Sequence, residues 1–378
     1  MATATESLTF RCNRALLQRA FAEIVGVAPS RSPKPILQNI KMAVGPDGAS
    51  LIATDLEVAI TREVSGVTSD RPASLILPAA KVGQILRASS DDDLTIDLED
   101  GNLTIRGARS KFTLPSSDPA EFPEPPAFDS EDFASIPAAD LRRLIRRTTF
   151  ATDVESTRYA LGGVLFEFGD GTLAGVGTDG RRLARVVVPC EGQGGFTPPG
   201  KAPVIPTKCL NLLLKSLEDT DPPVHVRVDA DRSVMFRTHN ATIYSRLVEG
   251  RFPRYQDVFP AEATAVIPVG VGPLLAATQQ AMIVTSEESR GVDFRFDCGM
   301  LSLSSQAPDA GSSTVDLPID YDGQAIEITF DPRYLIDALK VLDESANISV
   351  ELIDHKNAAV FRTEDDYTYV VMPLTSRR

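Results

Sequence analysis

The chain has 378 residues, of which 43% are apolar, and a formal net charge of -14 that gives a pI near 4.8. It shows no apolar run of the length of a signal peptide or a membrane span, and its four cysteines lie far apart without a CxxC pair. We therefore expect a soluble, cytoplasmic protein of about two to four domains, and not an exported, membrane-spanning or disulfide-framed one.

Six helices are predicted along the chain from apolar residues at helical spacing. They comprise residues 13–25, 79–89, 138–150, 207–217, 271–284 and 331–342. The second, fourth and sixth each follow directly on a strand, in LILPAAKVGQILRAS, VIPTKCLNLLLKSL and ITFDPRYLIDALKVL. Leu77, Ile205 and Phe330 take equivalent places in these junctions, at spacings of 128 and 125 residues that are close to a third of the chain. This spacing predicts three copies of one unit.

Strands fill the rest of each copy. Extended runs follow the first helix of each copy, at residues 35–44, 158–168 and 289–296. Alternating β-hairpins close the copies, at residues 94–114, 224–248 and 348–374. Proline-rich segments at residues 115–126 and 251–260 interrupt the pattern where boundaries are expected. We predict an α+β protein of three repeated domains, residues 1–127, 128–255 and 256–378, each with two helices packed on one face of mostly antiparallel sheet.

The third helix is basic within an acidic chain. Its predicted buried stripe consists of Leu141, Leu144, Ile145 and Thr148. Its other side carries Arg142, Arg143, Arg146 and Arg147. We expect these arginines to share a face that the core does not use, which by itself fits a solvated surface as well as an anion-binding one.

Charge is distributed unevenly between the predicted elements. The six helices hold twelve Lys and Arg against four Asp and Glu, a net charge of +8, which leaves -22 on the rest of the chain. A surface that faces phosphate needs such sorting when the outside of the molecule is acidic. Because helices are often rich in Lys and Arg, a plain solvated surface stays open as the alternative.

No catalytic or cofactor motif occurs in the sequence. His225, His239 and His355 have no partner at ligand spacing, and no Walker loop, GxGxxG or GxSxG is present. The acidic run 91–93 is predicted to be a solvated turn. We therefore predict a protein without catalytic site, cofactor or metal. The alternatives are a β-rich hydrolase and a β-rich scaffold or glycan-binding protein. A scaffold or glycan-binding protein would use exposed aromatic side chains, and the absence of Trp disfavours it.

Four strings of the sequence carry a specific resemblance to a known family. They are RYALGGVLFE, TDGRRLA, LVEGRFPRY and the C-terminal YVVMPL. Together with the threefold repeat, two helices per repeat and basic helices in an acidic chain, they resemble the bacterial DNA polymerase III β subunit, the sliding clamp. The resemblance extends over essentially the whole chain, with the motifs in the same order.

The resemblance implies a head-to-tail homodimer whose six domains close into a ring, with the helices lining a hole for double-stranded DNA. Such a ring tethers the replicative polymerase without catalysing a reaction. Its contacts with DNA are expected to be sequence-independent and made to phosphates. The residues expected to contact DNA are Arg31, Arg142, Arg143, Arg146, Arg147, Arg158, Tyr159 and Lys208.

The resemblance also implies a cleft between the second and third domains that binds short apolar motifs of the polymerase, the clamp loader and repair proteins. The positions assigned to this cleft are Leu161, Thr178, Gly180, Arg181, Arg182, Leu183, Pro253, Val258, Val370, Met372, Pro373 and Leu374. Arg181 stands where a histidine is common, Asp257 stands where a basic residue is common, and the TSRR tail runs past the usual end. For Val371 we expect a core position instead of a cleft position, because alternate residues of a strand face opposite sides.

Overall fold

The computed structural model of the chain describes residues 8–99, 101–153, 155, 160–229, 232–259 and 262–374. These residues form two compact units. The first unit contains the chain up to residue 139 together with residues 192–197 and 208–247. The second contains residues 140–191, 198–207 and the chain from residue 248 onwards.

Six α-helices lie within the described residues, and each matches a predicted one to within three residues at either end. They are α1 Arg14–Ile24, α2 Ala79–Ala88, α3 Ala138–Thr148, α4 Thr207–Lys215, α5 Val271–Met282 and α6 Pro332–Leu339. Asn13 caps α1 by accepting a hydrogen bond from the Leu16 N–H at 3.1 Å, and Asp331 caps α6 in the same way through the Arg333 N–H. Helices α1 and α2 pack together, as do α5 and α6.

The strands are antiparallel throughout the pairs described. Up to residue 193 they are β1 Leu8–Asn13, β2 Asn39–Gly45, β3 Gly48–Thr54, β4 Val58–Val64, β5 Ala73–Pro78, β6 Asp93–Glu99, β7 Asn102–Arg106, β8 Lys111–Pro115, β9 Phe133–Ile136, β10 Gly163–Phe168, β11 Thr172–Thr178, β12 Arg182–Pro189 and β13 Glu191–Gln193. After residue 193 they are β14 Val204–Pro206, β15 Val224–Asp229, β16 Ser233–Arg237, β17 Ala241–Arg246, β18 Ala265–Gly270, β19 Val292–Asp297, β20 Met300–Ala307, β21 Gly311–Pro318, β22 Ile326–Phe330, β23 Asn347–Leu352, β24 Ala359–Arg362 and β25 Tyr367–Val371.

Two sheets organise the first unit. A four-stranded sheet has the order β1-β6-β7-β8, and a nine-stranded sheet has the order β13-β9-β15-β16-β17-β4-β3-β2-β5. The larger sheet joins the first predicted copy to the second, because β17 pairs with β4 and places Ile243 opposite Ile60. Both side chains are fully buried.

The second unit repeats this arrangement. An eight-stranded sheet has the order β14-β10-β11-β12-β25-β24-β23-β18, and a four-stranded sheet has the order β21-β20-β19-β22. Here β12 pairs with β25 and places Leu183 opposite Val370, which joins the second copy to the third. This junction carries the apolar pocket described below.

The repeat predicted from the strand-to-helix junctions is visible in the core. Leu77 and Ile205 are the last but one residues of β5 and β14, Phe330 is the last residue of β22, and each is at most 1% exposed. Each of these buried apolar residues stands just before a helix, and its burial fixes the point at which the strand ends and the helix begins. The starts of the predicted extended runs were wrong: the run from residue 35 begins with the 3-10 turn Pro35–Gln38 and its strand starts only at Asn39, and β10 and β19 start at Gly163 and Val292. Pro35 cannot donate a ladder hydrogen bond and opens that turn instead.

Candidate functional site

Helix α3 presents its four arginines unequally. The predicted stripe of Leu141, Leu144, Ile145 and Thr148 is completely buried, as expected. Arg146 is exposed, and its guanidinium makes no ion pair with any described residue. Arg147, one turn after Arg143, is only 13% exposed and lies with its guanidinium carbon 5.4 Å from the centre of the Tyr367 ring.

Arg143 and Arg147 both point to one carboxylate. Asp365, in the turn between β24 and β25, accepts from Arg147 Nη1 at 2.7 Å and from Arg143 Nη1 at 3.4 Å. Arg143 also donates to Asp140 at 2.9 Å. The expectation that all four arginines lie off the core was therefore wrong for Arg147, since this turn brings an acidic partner against the helix.

An apolar pocket of about 190 Å³ lies in the second unit, where β12 and β25 pair. It is lined by Thr178, Gly180, Arg181, Arg182, Leu183, Pro253, Arg254, Tyr255, Val258, Val370 and Met372. Leu183, Val370 and Tyr255 belong to a buried cluster beneath it and are at most 5% exposed. Val258 and Met372 are about two-fifths exposed, at 40% and 43%. Exposed apolar side chains above a packed apolar base form a surface that an apolar ligand can cover.

The turn between β11 and β12 forms one wall of this pocket. Thr178 donates its hydroxyl to the Arg182 carbonyl at 2.6 Å, and Asp179 Oδ1 accepts from the backbone N–H groups of Arg181 and Arg182 at 2.9 and 3.0 Å. Gly180 has a φ of +85°, a conformation that side chains disfavour. The TDG part of the sequence string thus specifies a tight turn whose geometry is fixed before any ligand arrives.

Arg182 is held on several sides within this wall. Its Nε donates to Asp179 at 3.0 Å, Nη1 to Asp337 at 2.7 Å and Nη2 to the Phe150 carbonyl at 2.8 Å. Burial by itself would lower the pKa of Arg182, but the hydrogen bond to Asp337 and the neighbouring negative charges hold the pKa above its usual value. The guanidinium is therefore a fixed cation beside the pocket and not a mobile one.

Tyr255 forms the base of the pocket from the 3-10 turn Tyr255–Val258. Its hydroxyl donates to Glu167, and its ring is 5% exposed. Burial, followed by the hydrogen bond to Glu167, raises the pKa of Tyr255 to about 12, although Arg185 acts in the opposite direction. The same turn directs Tyr255 inward and Val258 outward, which explains why one is core and the other is pocket rim.

Comparisons with known proteins point to one family. Profiles of the N-terminal, central and C-terminal domains of the DNA polymerase III beta subunit match residues 8–126, 135–254 and 256–375 in succession. The beta sliding clamp of Vibrio cholerae is 30% identical over 370 residues, which cover 97% of this chain and all of that protein. The sliding clamp of Pseudomonas aeruginosa in complex with griselimycin matches with a TM-score of 0.89 at 28% identity, and that of Bacillus subtilis with 0.89 at 25%; both alignments cover 98% of this chain and 100% of the other.

The chain belongs to the DNA polymerase III beta subunit family. Its fold is the three-domain α+β clamp fold, as the repeat predicted. Its function is that of the family, a DNA sliding clamp that serves as a processivity subunit without a catalytic site of its own. The hydrolase, scaffold and glycan-binding alternatives receive no support from these matches.

The clamp brings most of the predicted cleft residues together, with three exceptions. Leu161 is 5% exposed and does not line the pocket. Pro373 and Leu374 also lie outside its lining, and the Leu374 N–H donates to the Thr329 carbonyl at 2.8 Å. Val371 is fully buried and absent from the lining, as the strand period predicted.

Two lining residues were not predicted, Arg254 and Tyr255. Both lie within the string LVEGRFPRY, from which only Pro253 had been assigned to the cleft. The string could therefore have located them. Of the departures from the family pattern, Arg181 lies in the lining and approaches the Tyr334 hydroxyl at 3.4 Å, whereas Asp257 is exposed.

Of the remaining predicted DNA contacts, Arg31 and Lys208 lie in the first unit. Arg31 is exposed in the loop after α1. Lys208, at the start of α4, forms an ion pair with Asp55. Burial would raise the pKa of Asp55, but the hydrogen bond from Lys208 and those from the backbone hold the pKa below its usual value. Arg158 and Tyr159 lie outside the described residues.

Neither a metal centre nor a membrane segment is found in the described part of the clamp. No group of three or more His, Cys, Asp or Glu side chains there is placed to hold a metal ion. No described helix is long and apolar enough to cross a membrane. Of the histidines, His225 stacks on the Phe133 ring at 4.1 Å between centroids, and His355 is exposed.

Proposed function

We propose that two copies of the clamp associate head to tail into a ring around double-stranded DNA and that the pocket tethers polymerase, clamp loader and repair proteins through short apolar motifs. The observation that carries the tethering role is the pocket itself, an apolar depression of about 190 Å³ with a fixed polar wall. Peptide anchors bind such pockets because they bury apolar side chains without requiring the protein to rearrange. We further propose that the domains comprise residues 1–127, 128–255 and 256–378.

Two sheet edges support the closure into a ring. The four-stranded sheets end in β8 and β21, which have no further partner strand among the described residues. Lys111 and Phe112 are exposed on β8, with Phe112 38% exposed, while Asp316 and Asp320 are exposed on or just after β21. An unpaired basic edge on one unit and an unpaired acidic edge on the other suit strand addition between two copies of the chain.

A cavity beside β21 offers room for an apolar anchor at that junction. It has a volume of about 400 Å³ and is lined by Pro268, Val269, Gly270, Pro273, Leu317, Pro318, Ile319 and Asp320. Phe112 of the second copy has the size and polarity to enter it. Two such junctions per dimer close a ring and leave neither edge open.

The contact with DNA is proposed to involve exposed basic side chains on the helices. Arg146 on α3, Lys81 and Arg87 on α2, and Lys215 on α4 are all exposed. Arg31 and Lys208 are further candidates. Contacts of this kind with phosphates carry no sequence information, which suits a ring that moves along DNA.

The clamp is proposed to act in the cytoplasm, where the template is found. Its four cysteines are free thiols, three of them buried, which suits a reducing compartment.

The experiment that tests the tethering role is titration of the clamp with a short apolar peptide derived from a replicative polymerase. Saturable binding that the Val258→Asp change abolishes is expected. Equal affinity of that variant and the wild type would contradict the assignment of the pocket. The Leu56→Asp variant serves as the control, because Leu56 is exposed to a similar extent, at 39%, and does not line the pocket.

A further inference from the structure

Two of the four arginines of α3 are already neutralised within the clamp. Asp365 Oδ2 lies 2.7 Å from Arg147 Nη1 and 3.4 Å from Arg143 Nη1, and Asp140 Oδ1 lies 2.9 Å from Arg143 Nη2. Carboxylate oxygens thus occupy the positions at which these guanidinium groups would receive phosphate oxygens. The arrangement lies wholly within the second unit.

The carboxylate of Asp365 is held in place from both sides. The Thr363 hydroxyl donates to its other oxygen, Oδ1. Burial would raise the pKa of Asp365, but the hydrogen bonds from Thr363 and Arg147 and the charges of Arg147 and Arg143 hold the pKa below its usual value. The group is therefore ionised at neutral pH and acts as a permanent counter-charge.

Arg143 and Arg146 differ sharply in what they can offer to DNA. The Arg143 side chain is 28% exposed and its charge is shared between two carboxylates, although its buried Nε has no hydrogen-bond partner in the described part of the clamp. Arg146 is exposed and makes no ion pair with the described residues. The basic run of the sequence therefore overstates the number of cations available to DNA.

We propose that Asp365 is an internal counter-anion. It limits the number of phosphates that α3 can contact in duplex DNA. This inference rests on the proposed function, because it places α3 against DNA. Each phosphate contact releases a counterion and adds salt-dependent affinity. Asp365 pairs with Arg147 and, together with Asp140, with Arg143, and in this way keeps the contact weak, as a ring that slides requires.

The neighbouring residue provides a matched control. Asp366 is exposed, lies in the same turn with a φ of +60° and makes no ion pair with the described residues. The changes Asp365→Asn and Asp366→Asn each remove one negative charge with almost no change of shape, and Asn tolerates the backbone conformation at position 366. Only the first variant removes the charged partner of Arg147.

The experiment measures binding of a labelled linear duplex by the full-length protein at several salt concentrations. The slope of log K against log of the salt concentration is expected to steepen by about one for Asp365→Asn, since Arg147 loses its partner while Arg143 keeps Asp140, and to stay unchanged for Asp366→Asn. Equal slopes in the two variants overturn the inference. Salt-independent binding by the wild-type protein would instead overturn the proposed DNA contact.

A second set of variants does not depend on the folding of Asp365→Asn. The double change Arg143→Gln and Arg147→Gln is expected to leave the slope nearly as in the wild type, because both charges are already neutralised. The single change Arg146→Gln is expected to reduce the slope by about one. A reduction by about two in the double variant, with none for Arg146→Gln, overturns the inference.

Discussion

Truncation of Met372 to alanine tests whether the pocket, and not the C-terminal segment as a whole, binds partner peptides. The change removes about three methylene-sized groups, each worth about 0.8 kcal/mol when fully buried. Because the side chain is 43% exposed in the free protein, a bound peptide has roughly that fraction left to cover. The expected loss is therefore about 1 kcal/mol, or roughly a fivefold increase in Kd.

Leu374 provides the matched control, since it is exposed to a similar extent, at 37%, only two residues away. It does not line the pocket, and its backbone N–H is bonded to Thr329. Calorimetric titration with an apolar clamp-binding peptide should show the loss for Met372→Ala and an unchanged Kd for Leu374→Ala, with similar melting temperatures for both. Equal losses of affinity in the two variants would refute the assignment of the pocket wall.

Three further predictions concern assembly, pH and packing. Changing Phe112 to Arg is expected to shift the protein from dimer to monomer in sedimentation at micromolar concentration. Leu56→Arg, at a similarly exposed site, should leave the dimer intact. A dimeric Phe112→Arg variant would contradict the proposed interface. The pKa of Tyr255 is raised to about 12 in the folded protein, whereas it is about 10 in the unfolded chain. The contribution of Tyr255 to stability is therefore complete below about pH 10 and is lost as the pH rises to about 12. The melting temperature should fall less steeply over that range in Tyr255→Phe than in the wild type, and identical curves would contradict the prediction. A Cβ at Gly163 would come within 2.2 Å of the Ile205 carbonyl oxygen, so Gly163→Ala should lower the free energy of unfolding by about 1–3 kcal/mol in denaturant titration. Gly26→Ala is the control and should be close to neutral, because a Cβ there meets no atom within 4 Å. Equal changes in the free energy of unfolding would show that the Gly163 contact relaxes freely.

Much of the fold was predictable because its signals are local and repeated. The helices could be located from apolar spacing, and the junction residues Leu77, Ile205 and Phe330 revealed the repeat because each needs the same buried environment. The start of β2 was misplaced because Pro35 opens a turn that the extended pattern conceals. The joining of copies through β4 with β17 and β12 with β25 was not predicted, since strand pairing between distant segments leaves no local signal.

The sites were predictable only in part, for a similar reason. Short strings placed the TDG turn and residues of β12 and β25 in one predicted cleft, and the structure brings them together in the pocket lining; their role in binding stays a prediction. The neutralisation of Arg143 and Arg147 was missed because their partner, Asp365, lies more than 200 residues away in the sequence. Leu374 was assigned to the pocket through the family resemblance of the string YVVMPL, whereas it lies outside the lining and its N–H donates to the Thr329 carbonyl.

Encirclement of DNA is tested by the retention of the loaded clamp on circular and on linear duplex DNA. The protein is labelled, loaded by a clamp loader onto a nicked circle, freed of unbound material, and followed after a restriction enzyme opens the circle. A topological link predicts stable retention on the circle, rapid release once the ends are free, and renewed retention when the ends are blocked by bound protein. Equal dissociation from circular and opened DNA would contradict encirclement and would mean that the clamp is held by direct contacts alone.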